Sequence, residues 1–162
     1  MKTLLLLRHA KSSWDDSGLK DFERPLNNRG LQAAPAIGRF LRQQKLQPHL
    51  ILSSPAERAR QTASLVTETA RLTADLRYDE RIYEASLERL MEVLAQIEDA
   101  AEVVMLVGHN PGLEELLEHL TGEAQRMPTA ALASISLELD KWGKVREHAG
   151  RLEWLVKPKD LS

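Results

Sequence analysis

Leu4-Leu5-Leu6-Leu7 runs without a break into Arg8 and His9, and no other stretch limits the possible fold as much. Four consecutive leucines, apolar at every position, match a short strand buried on both faces. A strand of that kind needs helices above and below its sheet, which points to a parallel α/β arrangement. It also delivers a guanidinium and an imidazole to its C-terminal tip, where open α/β sheets build their sites. A strand that merely ends where polar residues begin would look the same. The weight therefore falls on whether other strand ends repeat the chemistry.

Two do. His49-Leu50-Ile51-Leu52-Ser53, entered through Pro48, reads as a second apolar strand and gives way to Ser54-Pro55-Ala56-Glu57. Ser54 fits an N-cap, Pro55 a first helical position and Glu57 the far end of a capping box. The helix they predict runs to about Leu72, with Ala59, Thr62, Ala63, Val66 and Ala70 inward and Arg58 in its first turn. Val103-Val104-Met105-Leu106-Val107 is the third apolar strand and meets Gly108-His109-Asn110-Pro111-Gly112. There Asn110 and Pro111 repeat the N-cap and first-position logic ahead of a helix from Leu113 to about Leu120.

The remaining segments fill out the same class. Lys11 to Glu23 is polar and long enough to be a functional loop. Arg24-Pro25-Leu26 leads into a helix running to about Gln44, capped by Asn27 or Asn28, in which Pro35 predicts a kink or a restart. Leu76 to Tyr83 reads as an edge strand followed by a loop, and Leu87 to Ile97 as an amphipathic helix. Ala133 to Leu139 alternates as a half-exposed strand, Trp142-Gly143-Lys144 reads as a turn, and Leu152 to Val156 as a last strand. The expectation is an α/β sandwich of three layers: a mostly parallel sheet, helices on both faces, and an antiparallel edge from the final pair. At 162 residues, one domain covering 1–162 is expected.

Composition now constrains the ligand. The formal net charge is −2, so the chain has no global basic footprint for nucleic acid. An anion would have to be met by local positive charge. Two histidines (His9, His109), two arginines (Arg8, Arg58) and two helix starts at one sheet edge describe a pocket for a small, doubly charged anion, with phosphate the natural candidate. Taken singly, each residue has a plainer role: a structural histidine, a solvated arginine beside Arg60, a loop histidine. No Walker glycine loop and no G-x-G-x-x-G follows a strand. With no cysteine, thiol catalysis and cysteine-ligated zinc are excluded. No well-placed carboxylate accompanies the two histidines, and the arginines would repel a cation, so no metal is expected. Four leucines are too few for a signal-peptide core, and no window approaches the roughly eighteen apolar residues of a membrane span. A cytoplasmic protein that binds no membrane is the expectation.

Three blocks also carry a resemblance. Arg8-His9-Ala10 resembles the Arg-His-Gly signature of the histidine phosphatase superfamily, which includes the phosphoglycerate mutases. Ser54-Pro55-Ala56-Glu57-Arg58-Ala59-Arg60-Gln61-Thr62 resembles its second block, S-P-x-x-R-A-x-Q-T, and Val107-Gly108-His109-Asn110-Pro111 its third. The short length, Arg24-Pro25-Leu26 and the lack of a large inserted cap make the chain most similar to the small SixA-type phosphohistidine phosphatases. The resemblance implies a phosphoglycerate mutase-like fold and a metal-independent phosphatase without cofactor. His9 would be the nucleophile, attacking phosphorus in line and becoming transiently phosphorylated. Its attacking nitrogen must then be unprotonated, with the other ring nitrogen donating to a carbonyl or similar acceptor. Arg8 and Arg58 would hold the phosphoryl oxygens, His109 would add a donor, and Arg24 would reach the phosphate or its leaving group.

The implied substrate is a phosphohistidine on a signalling protein, or a small phosphorylated molecule. Alternatives are a phosphomonoesterase acting on a sugar phosphate or similar ester, a phosphoryl carrier that does not hydrolyse, and a phospho-ligand binding module. Asp79-Glu80-Arg81-Ile82-Tyr83 resembles the mutases' Asn-Glu-Arg-x-Tyr, which would make Glu80 the general acid, with Glu84 as rival and a surface role open for both. Two positions depart from the family pattern. Ala10-Lys11 replaces Gly-Glu and adds positive charge near the mouth. Trp14-Asp15 stands where mutase-like members have Trp-Asn, and a carboxylate there is not expected to bind phosphate.

Overall fold

The computed structural model describes residues 1–161. Its six strands are β1 (Lys2–Arg8), β2 (Leu50–Ser53), β3 (Asp75–Tyr78), β4 (Val103–Gly108), β5 (Leu132–Leu137) and β6 (Gly150–Val156). They form one sheet in the order β3-β2-β4-β1-β5-β6. The first four run parallel, whereas β5 is antiparallel to both β1 and β6. The sheet is thus mostly parallel, with its antiparallel pair at one edge.

The leucine run follows from what lies on either side of it. Leu4 and Leu6 enter one core with Leu50, Leu52, Val104 and Leu106. Leu5 and Leu7 enter the other with Ile51, Met105 and Val107. The first core is closed by α3 (Leu87–Ala95) and α4 (Gly112–Thr121), and the second by α1 (Asn28–Gln43) and α2 (Glu57–Ala70). The result is the expected three-layer sandwich. Each fully buried leucine of β1 contributes about 1.5–3 kcal/mol of transfer free energy, and none of the four faces water. Trp142 does more than turn the chain: it is fully buried in the first core, and its Nε1 donates to the Ala101 carbonyl at 2.7 Å.

Helix starts depart from the sequence reading in an informative way. Asn27 caps α1 as expected, its Oδ1 accepting from Gly30 N at 2.9 Å. Gly30 is required there, because a Cβ would lie 2.2 Å from the Lys11 carbonyl oxygen. Pro35 lies inside an uninterrupted α1, so the helix does not restart. Ala34, Ile37 and Leu41, all fully buried, hold it through the one missing amide. Ser54 is not the cap of α2, which begins after Ala56 without a side-chain cap. Nor does Asn110 cap α4: Pro111 precedes the helix, and Asn110 Nδ2 donates instead to the Met127 carbonyl at 2.8 Å. In both cases a tertiary partner has claimed the side chain that local pattern assigns to a cap. Among the described residues, no helix is long and apolar enough to cross a membrane.

Candidate active site

In register, Arg8 of β1 stands opposite Gly108 of β4, and Ser53 of β2 opposite Val107. The C-terminal tips of these strands are therefore level. His9 N donates to the Gly108 carbonyl and Ser54 N to that of Val107, each at 3.0 Å, which extends the ladder just past the sheet. Adjacent strand tips bring the two histidine rings to a centroid separation of 5.1 Å. Arg58 enters from the first turn of α2. Arg24 arrives from the loop before α1, and that loop is pinned where Leu26 N donates to Gln61 Oε1 at 2.7 Å. His9, Arg24, Arg58 and His109 are all buried.

The proton inventory of His9 is defined by its neighbours. Its Nδ1 lies 2.7 Å from the Ala10 carbonyl oxygen. A carbonyl only accepts, so Nδ1 carries the hydrogen and Nε2 is left with a free lone pair. Ala10 is held in turn by Thr62: Ala10 N donates to Thr62 Oγ1 at 2.9 Å, and that hydroxyl donates to the Arg58 carbonyl at 2.7 Å. Burial above all pulls the His9 pKa down to about 4. The bond to Ala10 opposes this, and Arg58, Arg8 and Arg24 add to it. The ring is neutral at physiological pH, with an unprotonated nitrogen to offer.

His109 is neutral for the same first reason. Burial, followed by repulsion from His9 and Arg58, takes its pKa to about 3. Its Nε2 lies 2.7 Å from Ser54 Oγ, while its Nδ1 is buried without a partner. Arg8 Nε, Arg58 Nε, Arg24 Nε and Arg24 Nη1 are likewise buried and without hydrogen bonds. Native interiors rarely leave such donors unsatisfied. Four unused guanidinium nitrogens on three arginines, with an unpartnered imidazole nitrogen beside them, are what a phosphoryl dianion would satisfy, by charge-assisted bonds from the arginines.

One carboxylate already sits among them. Asp21 Oδ2 accepts from Arg58 Nη2 at 3.0 Å and from the Tyr83 hydroxyl at 2.6 Å, and the Asp21 carbonyl accepts from Arg58 Nη1 at 2.7 Å. Asp21 Oδ1 is 3.3 Å from Arg24 Nε, without hydrogen-bond alignment. Burial works against ionisation of Asp21, but the Tyr83 and Arg58 bonds prevail and hold it below the usual carboxylate range. Tyr83 moves the opposite way, pushed up to about 12 by burial and by Asp21, so it stays a phenol. Its ring stands edge-on to His109 at 5.6 Å. The indole of Trp14, largely exposed, covers the Arg24 guanidinium at 3.4 Å.

The structure thus brings Arg8, His9, Arg24, Arg58 and His109 together. It does not bring Glu80 or Glu84 into hydrogen-bond contact with them. Both are exposed, and it is Tyr83 between them that reaches the site. Asp15 is also exposed and makes no contact with the arginines. Sequence reasoning missed Asp21 and the part Ser54 plays beside His109. The available signal for Asp21 was slight: an acid three residues before Arg24 in a long polar loop. Among the described residues, no group of three or more His, Asp or Glu side chains is placed to hold a metal ion.

Known proteins share the sequence pattern and the fold. The family model for the histidine phosphatase superfamily, branch 1, matches residues 4–89. An uncharacterized chloroplast protein of Arabidopsis thaliana is 30% identical over 170 residues, covering 97% of this chain and 78% of that protein. The crystal structure of a putative phosphohistidine phosphatase SixA from Agrobacterium tumefaciens is 32% identical, with a TM-score of 0.83 over 97% of this chain and 98% of that one. A tungstate complex of the protein histidine phosphatase SixA shares the fold at 22% identity and a TM-score of 0.86, over 99% of both chains. The family match takes in the strand tip at His9 and the helix start at Arg58, and the fold extends it to His109: the chain belongs to the histidine phosphatase superfamily and is a phosphatase.

Proposed function

We propose that this phosphatase removes the phosphoryl group of a phosphohistidine on a protein through a phospho-His9 intermediate. The observation that carries the reading is the His9 ring. Its Nδ1 is committed to the Ala10 carbonyl, its Nε2 is unprotonated at neutral pH, and it is ringed by buried guanidiniums with unused N–H groups. Nε2 attacks phosphorus in line, so that a P–N bond forms to His9 as the bond to the leaving group breaks. Arg8, Arg24 and Arg58 stabilise the charge on the equatorial oxygens, and His109 donates a further hydrogen bond. Water then attacks phospho-His9, releasing inorganic phosphate and regenerating the neutral ring.

The leaving group follows from the acids at hand. An alkoxide needs a carboxylic acid of raised pKa to protonate it, and the one carboxylate bonded into this site, Asp21, is shifted the other way. An imidazole leaving group makes far less demand. The relatives described as SixA phosphohistidine phosphatases support the same substrate class, with small phosphorylated molecules as secondary substrates.

The test compares wild type with His9→Ala on a phosphohistidine-bearing protein and on an aryl phosphate, both in chelator. Wild type should favour the phosphohistidine, and His9→Ala should lose on the order of 10³ or more in rate. Equal rates for the two proteins would refute the nucleophile. Better turnover of the ester than of the phosphohistidine would refute the substrate.

A further inference from the structure

Ser54 is fully buried, and its hydroxyl is fully engaged. The oxygen accepts from Ala56 N at 3.2 Å and lies 2.7 Å from His109 Nε2. The neighbouring Ser53 does not compete, because its own hydroxyl is directed to the Ser54 carbonyl at 2.9 Å. The backbone amide of Ala56 can only donate, so the hydrogen on Ser54 Oγ must find its acceptor elsewhere. Among the described residues His109 Nε2 is the acceptor within reach. A neutral imidazole whose Nε2 accepts carries its hydrogen on Nδ1, and Nδ1 is the atom left buried without a partner. The reverse assignment fails twice. It would strand a serine hydrogen in a dry interior, which costs about 1–3 kcal/mol, and it would confront an arriving phosphoryl dianion with a lone pair.

We propose that Ser54 is a positioning residue: it holds neutral His109 in the tautomer protonated on Nδ1, so that His109 meets the phosphoryl group as a hydrogen-bond donor. The chain of constraint runs through the second sequence block. The Ala56 amide at the entry to α2 orients Ser54 Oγ, Ser54 sets the proton on His109, and His109 spends that proton on the substrate. The loop joining β2 to α2 thereby does for His109 what the Ala10 carbonyl does for His9. The two histidines are given opposite roles by opposite partners: an acceptor on His9 Nδ1 frees a lone pair, and a donor on His109 Nε2 frees an N–H. The functional consequence rests on the phosphoryl-transfer reading of this pocket, while the tautomer itself does not.

Nitrogen-15 NMR of histidine-labelled, full-length protein at neutral pH, without substrate, reads the tautomer directly, with the His109 signal assigned by its loss in His109→Asn. Wild type should show His109 protonated on Nδ1 with an unprotonated Nε2. Ser54→Ala should convert it to the Nε2-protonated form or a mixture and lower kcat by roughly tenfold to a hundredfold, less than outright loss of an oxyanion donor. Ser54→Thr, which keeps the hydroxyl, should restore both. A wild-type His109 protonated on Nε2, or a Ser54→Ala protein with unchanged tautomer or unchanged kcat, would overturn the proposal. The wild-type measurement stands even where a variant folds poorly. Because no substrate is present, a wild type with the expected tautomer but no phosphatase activity would fail the proposed function alone.

Discussion

Asp21 and an incoming phosphoryl group want the same partners. Both are anionic, and in the proposed function both use the Arg58 guanidinium that Asp21 Oδ2 now contacts at 3.0 Å. A substrate must therefore displace a carboxylate from Arg58 or share the guanidinium with it, at a site open enough for water to screen the exchange. Asp21→Asn removes the competing charge while keeping the shape. Inhibition by inorganic phosphate, read as Ki, should tighten by roughly fivefold, in keeping with about 1 kcal/mol for one partly screened charge a few ångströms away. An unchanged or weaker Ki would show that Asp21 serves the anion by bracing Arg58 and does not oppose it. At this scale legibility in the sequence was uneven. His9, Arg58 and His109 stand out because a strand tip or helix start fixes where such residues point. Asp21 does not, because its role comes from a partner 37 positions away. Ser54 and Asn110 misled because their side-chain oxygens could each accept as a cap, and only the folded chain shows Ser54 Oγ beside His109 Nε2 and Asn110 turned so that its Nδ2 donates to the Met127 carbonyl.

The elements were easier to read than the residues. Strands β1, β2 and β4 were legible as continuous apolar runs, since burial on both faces leaves no polar position to break the pattern. Of the antiparallel pair, β5 showed as alternation, which suggested a half-exposed strand. The structure instead buries it on both faces, with only Ser136 partly open, because Ser134 alternates in the sequence but is itself covered by the fold. What could not be read was contact between elements, as at Gly30. Nothing local asks for glycine in the first turn of a helix, yet the Lys11 carbonyl oxygen would stand 2.2 Å from any Cβ. The same carbonyl accepts from Asn27 N at 2.9 Å, so α1 begins in direct backbone contact with the segment that follows His9. Gly30→Ala should destabilise the protein by about 1–3 kcal/mol, the usual range for overpacking, as measured by urea denaturation. A neutral result would mean that the Lys11 segment moves aside without cost, and the contact would then not be fixing the loop.

For the molecule as a whole, the two buried histidines tie stability to pH. In the unfolded chain each titrates near 6.5, whereas the folded values are about 4 and about 3. Between those limits the unfolded state binds more protons, so the stabilising effect of keeping both rings neutral is complete above about pH 6.5 and declines as pH falls toward 4. The slope approaches roughly 1.4 kcal/mol per pH unit for each histidine. Chemical denaturation from pH 7 to pH 4.5 should show this fall, and His9→Asn should flatten it by about half. An identical slope in the variant would place the titration elsewhere.

The leucine strand has a consequence in time as well as in space. β1 has a neighbour on each side and a core above and below, so its amides can meet solvent only when most of the molecule has come apart. Hydrogen exchange at Leu5 to Leu7 should proceed by global unfolding, while the exposed turn at Asp21–Glu23 opens and closes many times faster. His9 is thus moored to the last part of the protein to let go, and Arg24 stands beside one of the first. A single chain in this way pairs the proposed nucleophile, which keeps its place, with a neighbouring arginine whose support can loosen.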